Sequence, residues 1–299
     1  MSEATTRARV IGAHGRHYIV ELESGETRRC YPKGKRNEAA VGDVVDVALD
    51  GETEGYLLAV HPRKNLLYRS DEWRTKQFAA NVDQLLIVVA VEPPFSDDLL
   101  GRALAGAWAA DVTPVIVLNK IDLDSGLEKA RQRLLPYVAL GVPTIELQAK
   151  DPVSLNNRLL PVLANKTSLL LGQSAMGKST ILNALVPDAQ AFTQAHSVAL
   201  NAGKHTTTTT RLYHLPNQVG HIIDSPGVQA FGLAHLSPAD IERGFPEFDV
   251  HKARCRFYNC SHQHEPGCGV LDALAQGLVD AKRHQLYGRL LAEKASAKT

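Results

Sequence analysis

The sequence predicts a multidomain α/β protein with an N-terminal β-barrel over residues 1–68, a central α/β domain over 69–233 and a C-terminal helical domain over 234–299. Three observations predict this division. Short apolar runs separated by turns fill the first part, long apolar strands alternate with helical patterns in the second, and three of the four cysteines cluster in the third. A chain of 299 residues with 44% hydrophobic content can bury more than one core.

The N-terminal part is expected to be a small closed barrel. Apolar runs such as Tyr18–Val20 and Tyr56–Val60 alternate with turn signals such as Gly42-Asp43. The five-stranded oligonucleotide-binding barrel, or OB-type barrel, is the architecture that we expect from this pattern.

A basic run without acidic residues lies inside the predicted barrel. Its members are Arg28, Arg29, Lys33, Lys35 and Arg36. Such a run suits the phosphates of RNA, although an ordinary solvated loop is the alternative. The whole chain has a net charge of only +1, so an interaction with a polyanion would have to depend on local patches of this kind.

The central part alternates strands and helices in the manner of a mainly parallel sheet with ligand sites at the carboxyl ends of its strands. Strands are predicted at Gln84–Val91, Pro114–Leu118, Pro143–Leu147 and Ser168–Leu171, followed by a hairpin of Arg211–Leu215 and Val219–Asp224. One helix is predicted to begin after a cap at Ser96 or Asp97, and another is predicted to be broken or kinked near Pro136. Two further helices are predicted at Ser154–Leu163 and Lys178–Leu185.

A phosphate-binding loop, Gly172–Ser179, connects a predicted strand to a predicted helix. In this pattern the backbone amides surround the β-phosphate, Lys178 contacts the β and γ oxygens, and the Ser179 hydroxyl ligates Mg²⁺. The residues assigned here to nucleotide binding are Gly172, Gln173, Ser174, Ala175, Met176, Gly177, Lys178, Ser179 and Thr180.

A base-reading motif, Asn119-Lys120-Ile121-Asp122, follows another strand. The Asp122 carboxylate can accept hydrogen bonds from both N1–H and the exocyclic amine of guanine, which adenine does not offer together, so the motif indicates GTP rather than ATP. A polar loop without a ligand is the alternative, and the presence of a phosphate loop in the same chain argues against it. Ala149 and Lys150, after Gln148, lie where a backbone amide can approach the guanine oxygen.

The order of these motifs is unusual. Asn119–Asp122 precedes Gly172–Ser179, and Asp224–Gly227 follows both, whereas an ordinary G domain places the base-reading motif last. The sequence therefore predicts a circularly permuted P-loop GTPase domain. Asp224 is expected to hold the Mg²⁺ shell through water, and the Gly227 amide to sense the γ-phosphate.

Two further features concern the switch segments of the same domain. Any of the threonines at 206–208 could ligate Mg²⁺, and we assign this role to Thr207. The alternative is that the threonines are only a polar run that favours the following strand. Val228 occupies the position where many G domains carry a water-orienting glutamine. We therefore expect slow intrinsic hydrolysis that a partner could accelerate about 10³ to 10⁵-fold.

The cysteine cluster has the composition of a structural metal site. Cys255, Cys260, His262 and Cys268 supply three thiolates and one imidazole, a closed tetrahedral set for zinc. Unliganded thiols are the alternative, and His251 or His264 could replace His262. The N-terminus lacks an apolar signal segment and no long apolar run follows, so we expect a cytoplasmic protein without a membrane span.

Together these motifs resemble the bacterial ribosome small subunit-dependent GTPase A family, RsgA, over essentially the whole chain. Further matching stretches are Ala79–Gln84, Gly203–Thr208 and Gly244–Phe248. The resemblance implies a GTPase that binds the small ribosomal subunit and its rRNA, acts late in subunit maturation and is stimulated by that particle. It also implies that His205 assists catalysis beside Lys178, that the cysteine cluster holds zinc, and that the protein is a monomer.

The chain departs from the family pattern at three positions. Ala175 replaces a glycine of the phosphate loop, Ser225 replaces a threonine, and Gln148 replaces a serine. If position 175 requires a positive φ, alanine would cost roughly 1 to 2 kcal/mol there.

The motif order suggests that GTP orders the switch loops, that the barrel and the zinc domain hold the particle, and that hydrolysis releases the protein. One alternative is a nucleotide-sensing RNA-binding module whose hydrolysis is incidental. A second is an ATP-driven enzyme that uses only the phosphate loop, which Asp122 argues against.

Overall fold

The structure is a computed structural model. It describes the residues 5–33, 38–70, 75–187, 189, 209–216, 219–225, 233 and 235–296. Within these ranges, none of the helices combines the length and the apolar character that crossing a membrane requires.

Five strands form the N-terminal barrel that the turn pattern predicts. They are β1 (Thr5–Ala13), β2 (Tyr18–Leu22), β3 (Thr27–Pro32), β4 (Val44–Asp50) and β5 (Glu54–Val60). Their order is β1-β2-β3-β5-β4, and β4 pairs back onto β1 to close the barrel. The pairing of β3 with β5 is parallel, whereas the other pairings are antiparallel. This order is that of an OB-type barrel.

A separate hairpin of β6 (Leu66–Ser70) and β7 (Thr75–Ala80) connects the barrel to the central domain. The sequence patterns did not predict these strands, and the expected boundary after residue 68 lies within β6. Asn81 follows the hairpin with φ +56°, and its side chain donates a 3.1 Å hydrogen bond to the carbonyl oxygen of Gly42 in the barrel.

The central sheet contains the strands that the apolar runs predict. They are β8 (Gln84–Ala90), β9 (Thr113–Asn119), β10 (Thr144–Leu147), β11 (Thr167–Leu171), β12 (Arg211–His214) and β13 (His221–Asp224). The order is β10-β9-β8-β11-β13-β12, with only β12 antiparallel to its neighbour. Because the other five strands are parallel, the loops after β9, β10, β11 and β13 emerge at the same edge.

The helices of the central domain are α1 (Asp97–Ala109), α2 (Asp124–Ala139), α3 (Pro152–Ser154), a π-helical turn (Leu155–Leu159), α4 (Leu160–Leu163) and α5 (Lys178–Leu185). Ser96 caps α1, as predicted, by accepting a hydrogen bond from the Leu99 amide. Of the break or kink predicted at Pro136, the break does not occur: α2 continues through the proline and ends three residues later. Pro136 has no amide to donate to the carbonyl oxygen of Gln132, so this turn of the helix forms without that hydrogen bond.

The C-terminal domain consists of short helices around a second core. Its elements are α6 (Pro238–Arg243), a 3₁₀ turn (Pro246–Phe248), α7 (Asp249–Lys252), α8 (Gly269–Ala275) and α9 (Ala281–Ser296). Phe245, Phe248 and Tyr287 are buried at its centre. The domain packs on α1, where a Cβ at Gly244 would lie 2.7 Å from the carbonyl oxygen of Ala105.

Candidate functional site

The base-reading and phosphate loops meet at the carboxyl edge of the central sheet. Asn119 is only 2% exposed, and its side-chain amide donates a 2.9 Å hydrogen bond to the carbonyl oxygen of Met176. Its side-chain oxygen accepts a 3.0 Å hydrogen bond from the Ala149 amide. One buried side chain therefore joins the three loops whose sequence motifs indicate nucleotide binding.

Two glycines of the phosphate loop permit this close approach. Gly177 has φ +100°, and a Cβ there would collide with the Asn119 side-chain amide. A Cβ at Gly172 would collide with the carbonyl oxygen of Val88 in β8. The loop can pass between its neighbours only because both positions lack a side chain.

Ala175 adopts the left-handed conformation, with φ +65°. Position 175 therefore has the positive φ that disfavours alanine, and the alanine carries a backbone penalty of roughly 1 to 2 kcal/mol that a glycine would not.

Lys178 and Asp224 form the electrostatic pair at the phosphate end. The Lys178 ammonium donates hydrogen bonds of 2.5 and 2.7 Å to the carbonyl oxygens of Gly172 and Gln173. Burial lowers the pKa of Lys178, while Asp224 opposes that shift. Burial raises the pKa of Asp224 to about 6, against the effect of Lys178. Anionic phosphates would replace the two carbonyl oxygens as partners of this ammonium.

The remaining predicted nucleotide contacts lie around the rim. Ser174, Ser179 and Thr180 are exposed, with the latter two in the first turn of α5. Their position matches that expected for phosphate and Mg²⁺ ligands at a helix N-terminus.

At the base end, Asp122 and Lys150 are exposed, and Ile121 is half-buried. Lys120 has φ +62°, and its ammonium donates a 2.6 Å hydrogen bond to the carbonyl oxygen of Glu92. The carboxylate that would read guanine is therefore open to a ligand.

His205, Thr207 and Gly227 lie outside the described residues, as do Val228, Lys35 and Arg36. Their proposed roles remain predictions. Of the basic run, Arg28 is paired at 2.8 Å with Glu26, while Arg29 and Lys33 are exposed on the barrel.

Two hydrogen bonds around the site were not anticipated. The Ser96 amide at the start of α1 donates a 2.6 Å hydrogen bond to the side-chain oxygen of Gln173, which ties the phosphate loop to the helix that supports the C-terminal domain. The buried hydroxyls of Thr210 and Ser225 lie 2.7 Å apart and link the start of β12 to the loop after β13. Neither pair belongs to a local motif that could have revealed it.

The cysteine cluster has the dimensions of a tetrahedral metal site. Cys255, Cys260, His262 and Cys268 place their ligand atoms within 4.8 Å of one another. The Cys255 and Cys268 sulfurs are 3.9 Å apart, and the His262 Nδ1 lies 3.6 and 3.5 Å from them. Ligands on a zinc ion at its usual bond lengths would be about 3.8 Å apart for two sulfurs and about 3.6 Å for sulfur and nitrogen.

The surroundings of the cluster orient its ligands. The other ring nitrogen of His262 lies 3.6 Å from a carboxylate oxygen of Glu242, a partner often found behind a metal-bound histidine. The Cys268 sulfur also accepts a 3.5 Å hydrogen bond from the Leu271 amide and so caps α8. His251 and His264, the alternative ligands, are not part of this group.

Comparisons with known proteins agree with this architecture. The RsgA GTPase family model matches residues 60–234. The small ribosomal subunit biogenesis GTPase RsgA of Bordetella pertussis is 63% identical over 298 residues, covering 100% of this chain and 99% of the relative. Its namesake from Burkholderia pseudomallei is 54% identical and covers 96% of this chain and 92% of that protein.

Solved structures give the same result. The crystal structure of YjeQ from Thermotoga maritima has a TM-score of 0.76 at 29% identity, covering 98% of this chain and 99% of that one. YloQ, described as a circularly permuted GTPase, has a TM-score of 0.72 at 27% identity, with coverage of 99% and 97%. The chain therefore belongs to the RsgA family of circularly permuted GTPases, and it is an enzyme that hydrolyses GTP.

Proposed function

We propose that this GTPase binds the small ribosomal subunit, assists its late maturation, and is stimulated by that particle. The observation that carries the proposal is the junction at Asn119, which holds the base-reading loop against the phosphate loop. Its Bordetella and Burkholderia relatives are named small ribosomal subunit biogenesis GTPases, which supports the choice of particle.

Each part of the nucleotide site has a proposed role. Asp122 reads guanine, Lys178 neutralises the β- and γ-phosphates, and His205 assists attack by water. Mg²⁺, when bound with GTP, would neutralise phosphate charge, with Ser179 and Thr207 as ligands and Asp224 in its outer shell. The exposed Ser179 hydroxyl in the first turn of α5 fits this use.

The flanking parts have structural and binding roles. The cluster of Cys255, Cys260, His262 and Cys268 holds one structural zinc ion. The barrel, over about residues 1–68, and the zinc domain, over 234–299, hold the subunit, with the exposed Arg29 and Lys33 directed at rRNA phosphates. GTP favours the bound form, and hydrolysis in the domain over 69–233 leads to release.

The test is GTP turnover measured with small subunits, large subunits and intact ribosomes. We expect stimulation of at least about 10³-fold by small subunits alone. Lys178→Ala should abolish tight nucleotide binding, whereas His205→Ala should retain binding and lose stimulated turnover. Absence of stimulation would favour the alternative, an RNA-binding module whose hydrolysis is incidental.

The release step has a separate test. Subunit affinity is compared in the presence of GDP and of a non-hydrolysable GTP analogue, and we expect the analogue to give the tighter complex. Equal affinities would remove the proposed coupling between hydrolysis and release without affecting the GTPase assignment.

A further inference from the structure

A turn between two cysteines of the metal cluster exposes an aromatic side chain that the fold does not use. Tyr258 is 103% exposed, the highest value among the exposed large hydrophobic residues that the structure describes, and the neighbouring Phe257 is 41% exposed. A fully exposed aromatic ring contributes nothing to the core, so its surface is available to a partner.

The turn itself is held in place. Cys255 and Cys260 bound it on both sides, and the Cys260 amide donates a 3.3 Å hydrogen bond to the carbonyl oxygen of Phe257. The Arg256 amide donates a 2.9 Å hydrogen bond to the carbonyl oxygen of Gly267. Because the backbone is already fixed at both ends, a partner would gain contact with Tyr258 at a small cost in conformational entropy.

Two arginines precede the ring within four residues along the chain, and the Arg254 guanidinium donates a 2.8 Å hydrogen bond to His251. Arg254 and Arg256 are exposed, and neither forms an ion pair with a carboxylate within the part of the chain that the structure describes. The Arg256 guanidinium lies 5.5 Å from the centre of the Phe257 ring. The nearby Glu265 accepts hydrogen bonds from the Ser261 amide and hydroxyl, so its charge is used within the loop.

Two other acidic side chains of this domain, Asp249 and Glu242, are paired with Lys252. Lys252 lies 2.7 Å from Asp249 and 3.1 Å from Glu242. The chain around Tyr258 therefore offers an exposed π-face, with two exposed arginines within four residues of it in the sequence. This combination suits an unpaired RNA base with its phosphates, whereas an anchor for a protein pocket would be expected within a larger apolar patch.

We propose that Tyr258 stacks on an unpaired base of ribosomal RNA while Arg254 and Arg256 contact the adjoining phosphates. The identity of the RNA rests on the proposed function, whereas the stacking surface rests on the geometry of the turn.

The first test measures the affinity of full-length variants for small subunits with a non-hydrolysable GTP analogue. Tyr258→Ala should weaken binding at least about fivefold, and Tyr258→Phe and Tyr258→Trp should bind as the parent does, because stacking needs the ring and not the hydroxyl. Val250→Ala removes a side chain that is 74% exposed in the same domain and should change nothing. All variants should retain the parent's metal content and basal GTP turnover.

The second test identifies the partner. A photoreactive benzoylphenylalanine placed at position 258 is irradiated on the small subunit, and we expect an adduct with rRNA. An adduct with a ribosomal protein, no adduct, or parental affinity for Tyr258→Ala would overturn the proposal. If the unmodified protein does not bind small subunits and is not stimulated by them, the proposed function itself fails. Failure of the proposed function is thereby distinguished from failure of the stacking proposal.

Discussion

The Asn119 side chain donates a 2.9 Å hydrogen bond to the carbonyl oxygen of Met176, although the two residues are 57 positions apart and in the reverse of the usual motif order. The sheet makes this possible, since β9 and β11 both pair with β8 and end at one edge. Strand adjacency, rather than the order along the chain, therefore assembles the nucleotide site.

Asn119→Ala should weaken both GDP and GTP binding. The substitution leaves the carbonyl oxygen of Met176 and the amide of Ala149 without their partner, which costs about 1 to 3 kcal/mol and loosens the two loops. Because the nucleotide must then order these loops on binding, a cost of this size would raise Kd roughly 5 to 150-fold. The exposed Asn157→Ala serves as the control and should stay within about 0.5 kcal/mol of the parent. Fluorescent-nucleotide titration gives the Kd values, and a parental value for Asn119→Ala would contradict the role of this junction.

Ala175→Gly should stabilise the nucleotide-free protein. Glycine relieves the cost of φ +65°, and part of the gain is lost to the greater entropy of the unfolded chain, which leaves roughly 0.5 to 1 kcal/mol. The same exchange at Ala184, exposed in α5, should destabilise by about 1 kcal/mol. Thermal unfolding midpoints should thus move in opposite directions, and a downward shift for Ala175→Gly would show that strain at this position is not significant.

Much of the site could be predicted from the sequence because its signals are local. A glycine-rich loop before Lys178, and Asn119–Asp122 after an apolar strand, each indicate a loop at the carboxyl end of a parallel strand. The turn signals between short apolar runs also favoured a barrel. The cysteines and the histidine within residues 255–268 predicted the ligands of the metal cluster. The 3.9 Å separation of the Cys255 and Cys268 sulfurs agrees with that prediction.

Other features depend on single long-range contacts that leave no pattern in the sequence. The hydrogen bond between Ser96 and Gln173 spans 77 positions and joins two loops by one side chain. The hairpin of β6 and β7 is short and carries few alternating apolar residues, so nothing distinguished it from a linker. Glu242, behind His262, approaches the cluster from another helix, and tertiary packing alone places it there.

Cys260→Ser should lose the metal that the parent protein retains. Serine is a poor zinc ligand, so elemental analysis should fall from about one zinc per chain to far less, and a chelator should lower the unfolding temperature of the parent more than that of the variant. Cys30→Ser is the matched control, because Cys30 lies buried in the barrel and should leave the zinc content unchanged. Parent protein purified without chelators and free of zinc would refute the assignment.

His221 should make the protein less stable as the pH falls from about 6.5 to 4. Burial, together with Arg9 and His214, lowers the pKa of His221 to about 4, whereas Asp83 acts in the opposite direction. Between that value and the ordinary 6.5, the unfolded chain binds more protons than the folded one, so stability is highest above 6.5 and declines as the pH is lowered.

The His221 ring also accepts a 2.8 Å hydrogen bond from Arg9. A proton on that ring nitrogen would break the bond, so acid should loosen the contact between β1 and β13. His221→Gln removes the titration and should flatten the dependence of the unfolding midpoint on pH over this window, whereas His264→Gln, at an exposed position, should follow the parent. Equal slopes for the parent and His221→Gln would mean that other groups account for any loss of stability in acid.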